Sequence, residues 1–332
     1  MADDRPLYEF LHEITARILD GGFITKEEAL QIGSLDRNDA LLLFHHAQKI
    51  RRLFRGEKVS LCSIVNAKSG ACPEDCAFCA QSALFSTGAP VYGIMTPDEV
   101  VERAREAKAD GAESFAPVIS GRGVRHRKEL ETLGEMIRRI LGETGMEAHG
   151  SFGILSREQL QYLRECGVTE INHNLETSER FFPSICTTHT YQERLETLRA
   201  MREAGIKLCS GGIFGLGETL EDRVDLALTL RELNVDTVPM NFLHPIPGTP
   251  LANAAPLPPL TCLITIALYR FMLPKQEIKI CGGRDKNLRD LQSMIFFAGA
   301  DSMMIGNYLT TAGRDPKQDW QMLRDLELDG GR

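Results

Sequence analysis

The sequence predicts an α/β protein of the (β/α)8 barrel type, with a helical extension in front of the barrel. Two observations support this prediction. A unit made of a short apolar run, a loop, a capped helix and a glycine recurs along residues 60–306. The length of 332 residues also falls in the usual range for one such barrel.

The first 55 residues are predicted to be helical and to form the extension. Leu7–Leu19 has amphipathic spacing, and Thr25 followed by Glu28 is a capping box that begins a second helix. Asp36 or Asn38 is expected to cap a third helix, which would complete this region.

Eight apolar runs are predicted to be strands of one parallel sheet, because helical segments separate them. The eight runs are Ser60–Asn66, Glu113–Ile119, Met146–Phe152, Thr169–Asn174, Lys207–Phe214, Asp236–Phe242, Glu277–Gly282 and Ser302–Gly306. No linker or low-complexity segment divides them. We therefore expect residues 1–55 to be the extension, residues 56–320 one barrel and residues 321–332 a C-terminal tail.

Composition makes some classes of function improbable. The net charge of −8 and a pI of about 5.6 argue against a nucleic-acid partner, which usually selects a basic face. The N-terminus has no apolar signal segment, and no run reaches the roughly 18 apolar residues of a membrane span, so we expect a cytoplasmic protein without a membrane partner. Nine cysteines in a reducing compartment favour metal or redox chemistry over disulfides.

A cysteine motif follows the first predicted strand, where a barrel places its catalytic loops. Cys72, Cys76 and Cys79 are spaced Cys-x3-Cys-x2-Cys. Three thiolates hold three irons of a [4Fe–4S] cluster and leave the fourth iron open. S-adenosylmethionine (SAM) can chelate that iron, and an electron from the cluster then cleaves SAM to a 5′-deoxyadenosyl radical. The alternative is structural zinc, which normally takes four protein ligands as two pairs, and no second pair lies nearby.

From this motif outward the sequence resembles the biotin synthases. The matching segments are Gly70–Ser82, Asn172–Glu176, Thr187–Leu195, Lys207–Thr219, Val238–Asn241 and Gly248–Leu251. Members of this family are homodimers of (β/α)8 barrels that convert dethiobiotin into biotin by inserting sulfur at two unactivated carbons. The resemblance therefore implies dethiobiotin and SAM as ligands, a homodimer, and an electron donor such as flavodoxin or ferredoxin.

The resemblance also implies roles for single residues. Asn172 and Asn174 alternate on the fourth predicted strand and are expected to reach dethiobiotin and the SAM ribose. Glu176, where the family usually has aspartate, would bind the ribose diol, and Arg194 would pair with the SAM carboxylate. The backbone of Gly212, Ile213 and Gly215 is expected at the adenine, and Asn241, Thr310 and Thr311 are expected at the carboxylate end of dethiobiotin. For any single Asn or Thr, a strand-end hydrogen bond to backbone is the alternative.

The chain departs from the family at its second cluster. The best-known biotin synthases hold a [2Fe–2S] cluster, taken to be the sulfur donor, on three cysteines and an arginine. Of these positions only Cys209 retains its ligand here, and Ala116, His149 and Lys279 occupy the others. Alanine cannot ligate iron, so we expect no cluster of the usual form.

Two further cysteines suggest a replacement. Cys62 on the first strand and Cys281 on the seventh stand where the familiar enzymes have serine, and alternate strands of a barrel contribute one interior layer. With Cys209 they are expected to hold a different auxiliary iron–sulfur cluster. A [4Fe–4S] cluster with one iron open, or bound by His149, is one candidate. The alternative is that the three cysteines are small buried hydrophobic residues.

The remaining cysteines are expected to have ordinary roles. Cys166 and Cys262 lie in helical context and are predicted to be packing residues. Cys186 follows the fourth strand on the catalytic face and is predicted to be a loop residue, with a spare ligand or a redox-sensitive thiol as alternatives.

The missing sulfur-donor ligands leave two other functions open. One is a radical SAM isomerase or lyase of the same fold. The presence of Asn172, Asn174 and Asn241, which match the family, argues against it. The other is a non-catalytic iron–sulfur or zinc protein, against which the SAM-side residues speak. Sulfur insertion into dethiobiotin from a non-standard auxiliary cluster is the function that the sequence favours.

Overall fold

The computed structural model describes residues 6–328, so the first five residues of the predicted extension and the last four of the predicted tail lie outside the described residues. Within that range the strands are β1 (Ser60–Lys68), β2 (Ser114–Ile119), β3 (Glu147–Gly150), β4 (Glu170–Asn172), β5 (Lys207–Cys209), β6 (Gly212–Phe214), β7 (Thr237–Phe242), β8 (Glu277–Ile280) and β9 (Ser302–Met304). The helices are α1 (Leu7–Leu19), α2 (Lys26–Gly33), α3 (Ala40–Arg55), α4 (Pro97–Ala109), α5 (Arg127–Thr144), α6 (Arg157–Glu165), α7 (Tyr191–Glu203), α8 (Leu220–Glu232), α9 (Pro259–Met272), α10 (Arg284–Leu288) and α11 (Pro316–Asp325).

The strands form one closed parallel sheet, which confirms the predicted barrel. They are ordered β5-β4-β3-β2-β1-β9-β8-β7-β6, and a further pairing of β5 with β7 closes the ring. Four of the helices α4–α8 begin with a capping box at a Ser or Thr, as the sequence predicts. The helices cover the outside of the sheet with an apolar layer, so the chemistry-bearing residues are left to the interior and the loops.

The fifth predicted strand, Lys207–Phe214, is two strands, β5 and β6, and that prediction was wrong. The break lies at Gly211, where an added Cβ would approach the Pro239 carbonyl oxygen to 2.0 Å. The carbonyl of Gly211 accepts hydrogen bonds from the amides of Leu175 and Glu176 instead of continuing the strand ladder. The chain therefore steps across to β7 at this point.

The fourth strand is also shorter than predicted and ends at Asn172, so Asn174 does not lie on it. After Asn172 the chain turns, and Glu176 has a φ of 70°, in the left-handed region that non-glycine residues rarely occupy. The two asparagine side chains nevertheless remain adjacent, because Nδ2 of Asn172 donates to Oδ1 of Asn174 at 2.9 Å.

The helices α1–α3 form the predicted extension, in which α2 and α3 pack against α8 and α9 of the barrel and α1 packs against α3. Thr25 makes the predicted capping box with Glu28. The predicted cap of α3 was wrong: the helix begins after Asp39, which makes no side-chain cap, while Asp36 accepts from the Asn38 amide at 2.7 Å and closes a local turn. The division of the chain at residues 55 and 320 stays a prediction.

The C-terminal end of α3 ties the extension to the barrel. Arg55 bonds through Nε to Oδ2 of Asp301 at 2.5 Å and lies 3.4 Å from Glu277. Arg270, fully buried on α9, shares Asp301. In the part of the chain that the structure describes, no helix is both long and apolar enough to cross a lipid bilayer.

Candidate active site

The cysteine loop follows β1 and folds back on itself. Gly70 and Ala71 both have left-handed φ values, 71° and 49°, which reverse the chain just before the first cysteine. The Cys72 amide then donates to the Gln81 carbonyl at 3.1 Å, and the Cys72 carbonyl accepts from the Ala83 amide at 2.7 Å. Two backbone bonds therefore clamp both ends of the loop. Cys72, Cys76 and Cys79 line a cavity of about 200 Å³ at the carboxyl ends of the strands, here called the mouth cavity.

The segment after β4 holds this loop in place through residues that the sequence prediction did not single out. Oδ1 of Asp75 accepts from the amides of Thr187 and Thr188 at 2.9 and 3.2 Å. Although burial opposes it, the hydrogen bonds from Thr187 hold the pKa of Asp75 well below its ordinary value. Glu74 accepts from the Thr188 hydroxyl at 2.7 Å and lies 2.6 Å from Nδ1 of His189. In the sequence, the one sign that these two segments are related is that Gly70–Ser82 and Thr187–Leu195 both match the biotin synthases.

Cys186 lies in that segment and contacts a predicted cluster ligand. Its Sγ is 3.7 Å from Sγ of Cys76 and 3.3 Å from Nδ1 of His189. Among residues 6–328, Cys76, Cys186 and His189 are the one group of three potential ligands whose atoms all lie within 4.8 Å of one another. Cys186 is therefore packed against the cysteine loop, and whether it is a spare ligand, a redox-sensitive thiol or an ordinary loop residue stays a prediction.

Arg194 and Glu176 form the polar wall of the mouth cavity. The Arg194 guanidinium donates to the Asn174 carbonyl at 2.6 Å and to Nε2 of His189 at 3.0 Å, and it lies 3.8 Å from Glu176. Burial raises the pKa of Glu176, although the positive charge of Arg194 acts in the opposite direction. Oε2 of Glu176 is buried without a hydrogen-bond partner among the described residues. A buried carboxylate oxygen of this kind fits a ligand hydroxyl, as the ribose of SAM would supply.

The predicted adenine segment packs directly beside Glu176. A Cβ added at Gly212 would approach the Glu176 carbonyl oxygen to 2.4 Å, so only glycine allows this contact. That carbonyl accepts from the Ile213 amide at 2.9 Å, and the Gly215 amide donates to Glu218 at 3.0 Å. Both amides therefore have protein partners. The role of Gly212, Ile213 and Gly215 toward adenine stays a prediction.

Cys62, Cys209 and Cys281 line one cavity of about 290 Å³ inside the barrel, here called the inner cavity. Burial raises the pKa of each of the three thiols. The Asn172 side chain donates toward Sγ of Cys209 at 3.5 Å. The Asn241 side chain lines the same cavity and accepts from the Gly282 amide at 3.0 Å. Cys62 on β1, Cys209 at the end of β5 and Cys281, one residue beyond β8, thus line one space although they lie far apart in sequence. The predicted seventh strand, Glu277–Gly282, ends at Ile280, so Cys281 does not lie on it.

The three interior thiols are spaced too widely in this structure for one zinc ion to bind all of them. A Zn–S bond of about 2.3 Å places two zinc-bound sulfurs no more than about 4.6 Å apart. Within the described residues these three cysteines do not form a group with ligand atoms inside 4.8 Å. An iron–sulfur cluster contains several irons and holds its thiolates further apart than one ion does.

His149 and Lys279, at the two other altered positions, face carboxylates. His149 Nε2 is 3.2 Å from Glu147 and Nδ1 is 3.5 Å from Glu170. Lys279 Nζ is 3.2 Å from Glu277 and 3.8 Å from Glu170. Although burial lowers the pKa of Lys279, the surrounding Cys62, Glu277 and Glu170 outweigh it and hold that pKa well above its ordinary value. Since both ring nitrogens of His149 have acidic neighbours, iron ligation by His149 would require the loss of one of these contacts.

The mouth and inner cavities adjoin. They share the lining residues Val118, Ser151, Asn172, Asn174 and Leu309. A molecule lying along Asn172 and Asn174 would therefore have the cysteine loop on one side and the interior thiols on the other. Near the loop after β9 the inner wall is formed by Tyr308 and Leu309, so a role for Thr310 and Thr311 stays a prediction.

Comparisons with known proteins give one consistent picture. The Radical SAM superfamily matches residues 67–230, and the Biotin and Thiamin Synthesis associated domain matches residues 239–329. The chain is 52% identical to a biotin synthase of Geotalea uraniireducens over 96% of this chain and 97% of that protein. It is 52% identical to a biotin synthase of Geobacter sulfurreducens over 97% and 98% of the two chains.

Solved structures show the same fold at low sequence identity. A methylornithine synthase is 20% identical and superimposes with a TM-score of 0.85, covering 96% of this chain and 97% of its own. An [FeFe]-hydrogenase maturase from Carboxydothermus hydrogenoformans is 18% identical with a TM-score of 0.81, covering 96% and 79%. These two likenesses support the barrel and its helical cover.

Proposed function

The chain belongs to the biotin synthase family of radical SAM enzymes, and we propose that it takes the inserted sulfur from an auxiliary cluster held by Cys62, Cys209 and Cys281. The observation that carries the proposal is that these three thiols line one cavity, which adjoins the mouth cavity at Asn172 and Asn174. Sulfur insertion into dethiobiotin is the activity of the family. The proposal concerns where this chain holds the sulfur, because the residues of its barrel interior differ from the usual ligand set.

The mouth cavity is proposed to bind the first cluster and SAM. Cys72, Cys76 and Cys79 would hold three irons, and when bound the [4Fe–4S] cluster supplies the electron that cleaves SAM to a 5′-deoxyadenosyl radical. Glu176, with its unpartnered oxygen, would accept from the ribose hydroxyls. Arg194 would orient the SAM carboxylate, since its guanidinium is already held by Asn174 and His189.

The inner cavity is proposed to bind dethiobiotin and the sulfur donor. Asn172 and Asn241 would bind the substrate through amide groups whose positions are set by hydrogen bonds to Asn174 and Gly282. The barrel wall surrounds the inner cavity on its sides, which would limit the access of water to a carbon radical. Cys62, Cys209 and Cys281 would hold the auxiliary cluster within reach of the same substrate.

The nature of that cluster follows from the donor set. The position of Ala116 supplies no ligand, and Lys279 is held by two carboxylates, so the usual [2Fe–2S] ligand set is not present. Three buried thiols suit a larger cluster with one iron open, for which [4Fe–4S] is our proposal.

The remaining parts of the proposal rest on the family resemblance. We expect a homodimer, a cytoplasmic location and an electron donor such as flavodoxin or ferredoxin. Sedimentation of the purified protein tests the first, and reduction of the bound cluster by each purified donor tests the last.

One anaerobic experiment tests the function. The reconstituted protein is incubated with SAM, dithionite and dethiobiotin, and 5′-deoxyadenosine and biotin are measured together with iron and acid-labile sulfide. We expect both products and clearly more than the four irons of one [4Fe–4S] cluster. The variants Cys62→Ala, Cys209→Ala and Cys281→Ala are expected to hold about four irons and to make 5′-deoxyadenosine without biotin.

The outcomes that contradict the proposal differ from each other. Wild-type protein with only about four irons would show that no auxiliary cluster forms. Biotin formation that survives all three substitutions would show that the sulfur comes from elsewhere. A matched control is Cys262→Ala, because Cys262 is equally buried but lies on α9, outside the barrel interior.

A further inference from the structure

A third cavity lies at the opposite end of the barrel from the mouth. It has a volume of about 420 Å³ and is here called the lower cavity. Its wall contains the first residue of eight of the nine strands, β6 alone excepted: Ser60, Ser114, Glu147, Glu170, Lys207, Thr237, Glu277 and Ser302. Layers of branched apolar side chains usually fill this end of a (β/α)8 barrel. Here short and charged side chains leave it hollow.

The lower cavity adjoins the inner cavity. Both are lined by Cys62, Ser114, His149, Glu170 and Lys279, which we call the throat. Cys62 is one of the three proposed auxiliary ligands, and it lines both cavities. The proposed auxiliary site therefore lies between the lower cavity and the inner cavity, away from the cysteine loop and Arg194, which line neither.

The carboxylates of the lower cavity all have partners. Glu113 pairs with Lys58 at 2.7 Å, Asp236 pairs with Arg202 at 2.9 Å, and Glu147 lies 3.2 Å from His149. The two inner carboxylates are also engaged, because Glu170 accepts from Thr237 at 2.7 Å and Glu277 lies 3.2 Å from Lys279.

Two lysines at the rim have no carboxylate within ion-pairing distance among the described residues. Lys207 and Lys275 line the lower cavity and are exposed, and Lys207 acts on Glu147 only through longer-range charge attraction. Lys275 instead lies over the ring of Phe54, with Nζ 5.8 Å from its centre. Unpaired cations at the mouth of a cleft attract small anions and repel metal cations.

We propose that the lower cavity is a second entrance, through which inorganic sulfide, as hydrosulfide, reaches the auxiliary cluster. This inference rests on the proposed function, because it needs a cluster on Cys62, Cys209 and Cys281. SAM is proposed to enter the mouth cavity and dethiobiotin to pass through it into the inner cavity, and each product molecule would remove one sulfur. Replacement of that sulfur from the opposite end would avoid the substrate path. A hydrosulfide that reached an open iron of this cluster would bind through sulfur and release its proton to water, and no electron would be transferred.

The test measures sulfide exchange without turnover. A Cys72→Ala, Cys76→Ala, Cys79→Ala protein carries only the auxiliary cluster, which removes the exchange of the first cluster from the measurement. It is incubated anaerobically with ³⁴S-labelled sodium sulfide, and the isotope ratio of its acid-labile sulfide is followed by mass spectrometry. One labelled hydrosulfide enters for each unlabelled one that leaves, so the iron content stays constant.

Two variants in this background obstruct the proposed route in different ways. Ser114→Leu fills the throat with apolar volume and is expected to slow exchange on the order of tenfold. Lys207→Glu with Lys275→Glu reverses the rim charge and is expected to slow exchange several-fold at low ionic strength, roughly within the range of electrostatic steering, with less effect at high salt. The rim substitutions are exposed, so folding is expected to be preserved. The matched control is Lys128→Glu with Lys317→Glu, two exposed lysines on outer helices.

Each result decides the question. Slower exchange in the rim variant, with the control unchanged and the iron content equal, supports the second entrance. Equal exchange in the rim variant, the control and the parent overturns the route alone. A parent protein without acid-labile sulfide overturns the auxiliary cluster and the route together.

Discussion

The cysteine loop and the barrel interior each bring three thiols together, but by opposite means. In the loop the three cysteines lie within eight residues, and backbone hydrogen bonds and the contact with Thr187 and Thr188 fix their arrangement. In the interior, Cys62 lies on β1, Cys209 ends β5 and Cys281 directly follows β8, and they line one cavity because the sheet closes. The loop site therefore depends on one short segment and on its contact with the segment after β4, whereas the interior site depends on the closure of the whole barrel.

The largest expected effect separates the two sites by product. Cys79→Ala removes a ligand of the radical-forming cluster, so we expect no 5′-deoxyadenosine and no biotin. Cys281→Ala is expected to leave 5′-deoxyadenosine formation within about a factor of three, since the cysteine loop does not depend on β8, and to abolish biotin. Chromatographic quantification of both products under anaerobic turnover checks this. Equal loss of 5′-deoxyadenosine in both variants would mean that the sites are not independent.

A second expected effect concerns the charges beneath the interior site. Lys279→Met leaves Glu170 and Glu277 buried near one another without the cation between them, which is expected to lower the free energy of unfolding by about 3 kcal/mol. Urea unfolding of the metal-free protein measures it. The exposed Lys207→Met is the control and is expected to change stability by less than about 0.5 kcal/mol. An unchanged free energy of unfolding in Lys279→Met would show that the interior site tolerates the loss of this cation.

At the mouth, loss of a ligand contact is expected to affect binding more than folding. Arg194→Ala removes a charged donor from the proposed SAM site and is expected to weaken SAM binding about 10- to 100-fold, the equivalent of about 1.5–3 kcal/mol. Isothermal titration of the cluster-loaded protein measures this. Arg199→Ala, on the same helix but exposed, is the control. An unchanged affinity in Arg194→Ala would remove Arg194 from the SAM site.

The smallest expected effect comes from a comparison of two helix caps of the same type. Thr190 and Thr25 each form a capping box, one directly after the segment that holds the cysteine loop and one in the extension. Replacing either by alanine is expected to cost about 1 kcal/mol of stability. Only Thr190→Ala is expected to speed iron loss to a chelator as well, measured by absorbance of the iron complex. Equal rates in the two variants would show that the cap does not support the loop.

The sequence predicted the parts of the molecule that depend on local patterns. The helix starts at Thr96, Ser156 and Thr219 have side-chain caps because Ser or Thr at the N-cap with an acid or amide three residues later is a local arrangement. The barrel followed from the repetition of strand and helix. The barrel and the family are confirmed, whereas the ligand roles of single residues stay predictions.

The sequence could not predict features that depend on contacts between distant segments. The break at Gly211 arises from the approach of Pro239 and from the hydrogen bonds of Leu175 and Glu176, none of which leaves a periodic signal. The contact of Cys186 with Cys76 joins positions 110 residues apart. The hollow lower end of the barrel depends on the first residues of eight strands together, and no single strand reveals it.

The contact between Cys76 and Cys186 has a practical consequence for handling the protein. A disulfide has its sulfurs about 2.05 Å apart, and these two thiols are already in contact at 3.7 Å. In a cluster-free chain exposed to air, peroxide can oxidise the pair and is itself reduced to water, which removes Cys76 from the set available to iron. Protein purified aerobically therefore needs thiol reduction before iron and sulfide are added, and its recovered fraction of cluster will report how much of this bond had formed.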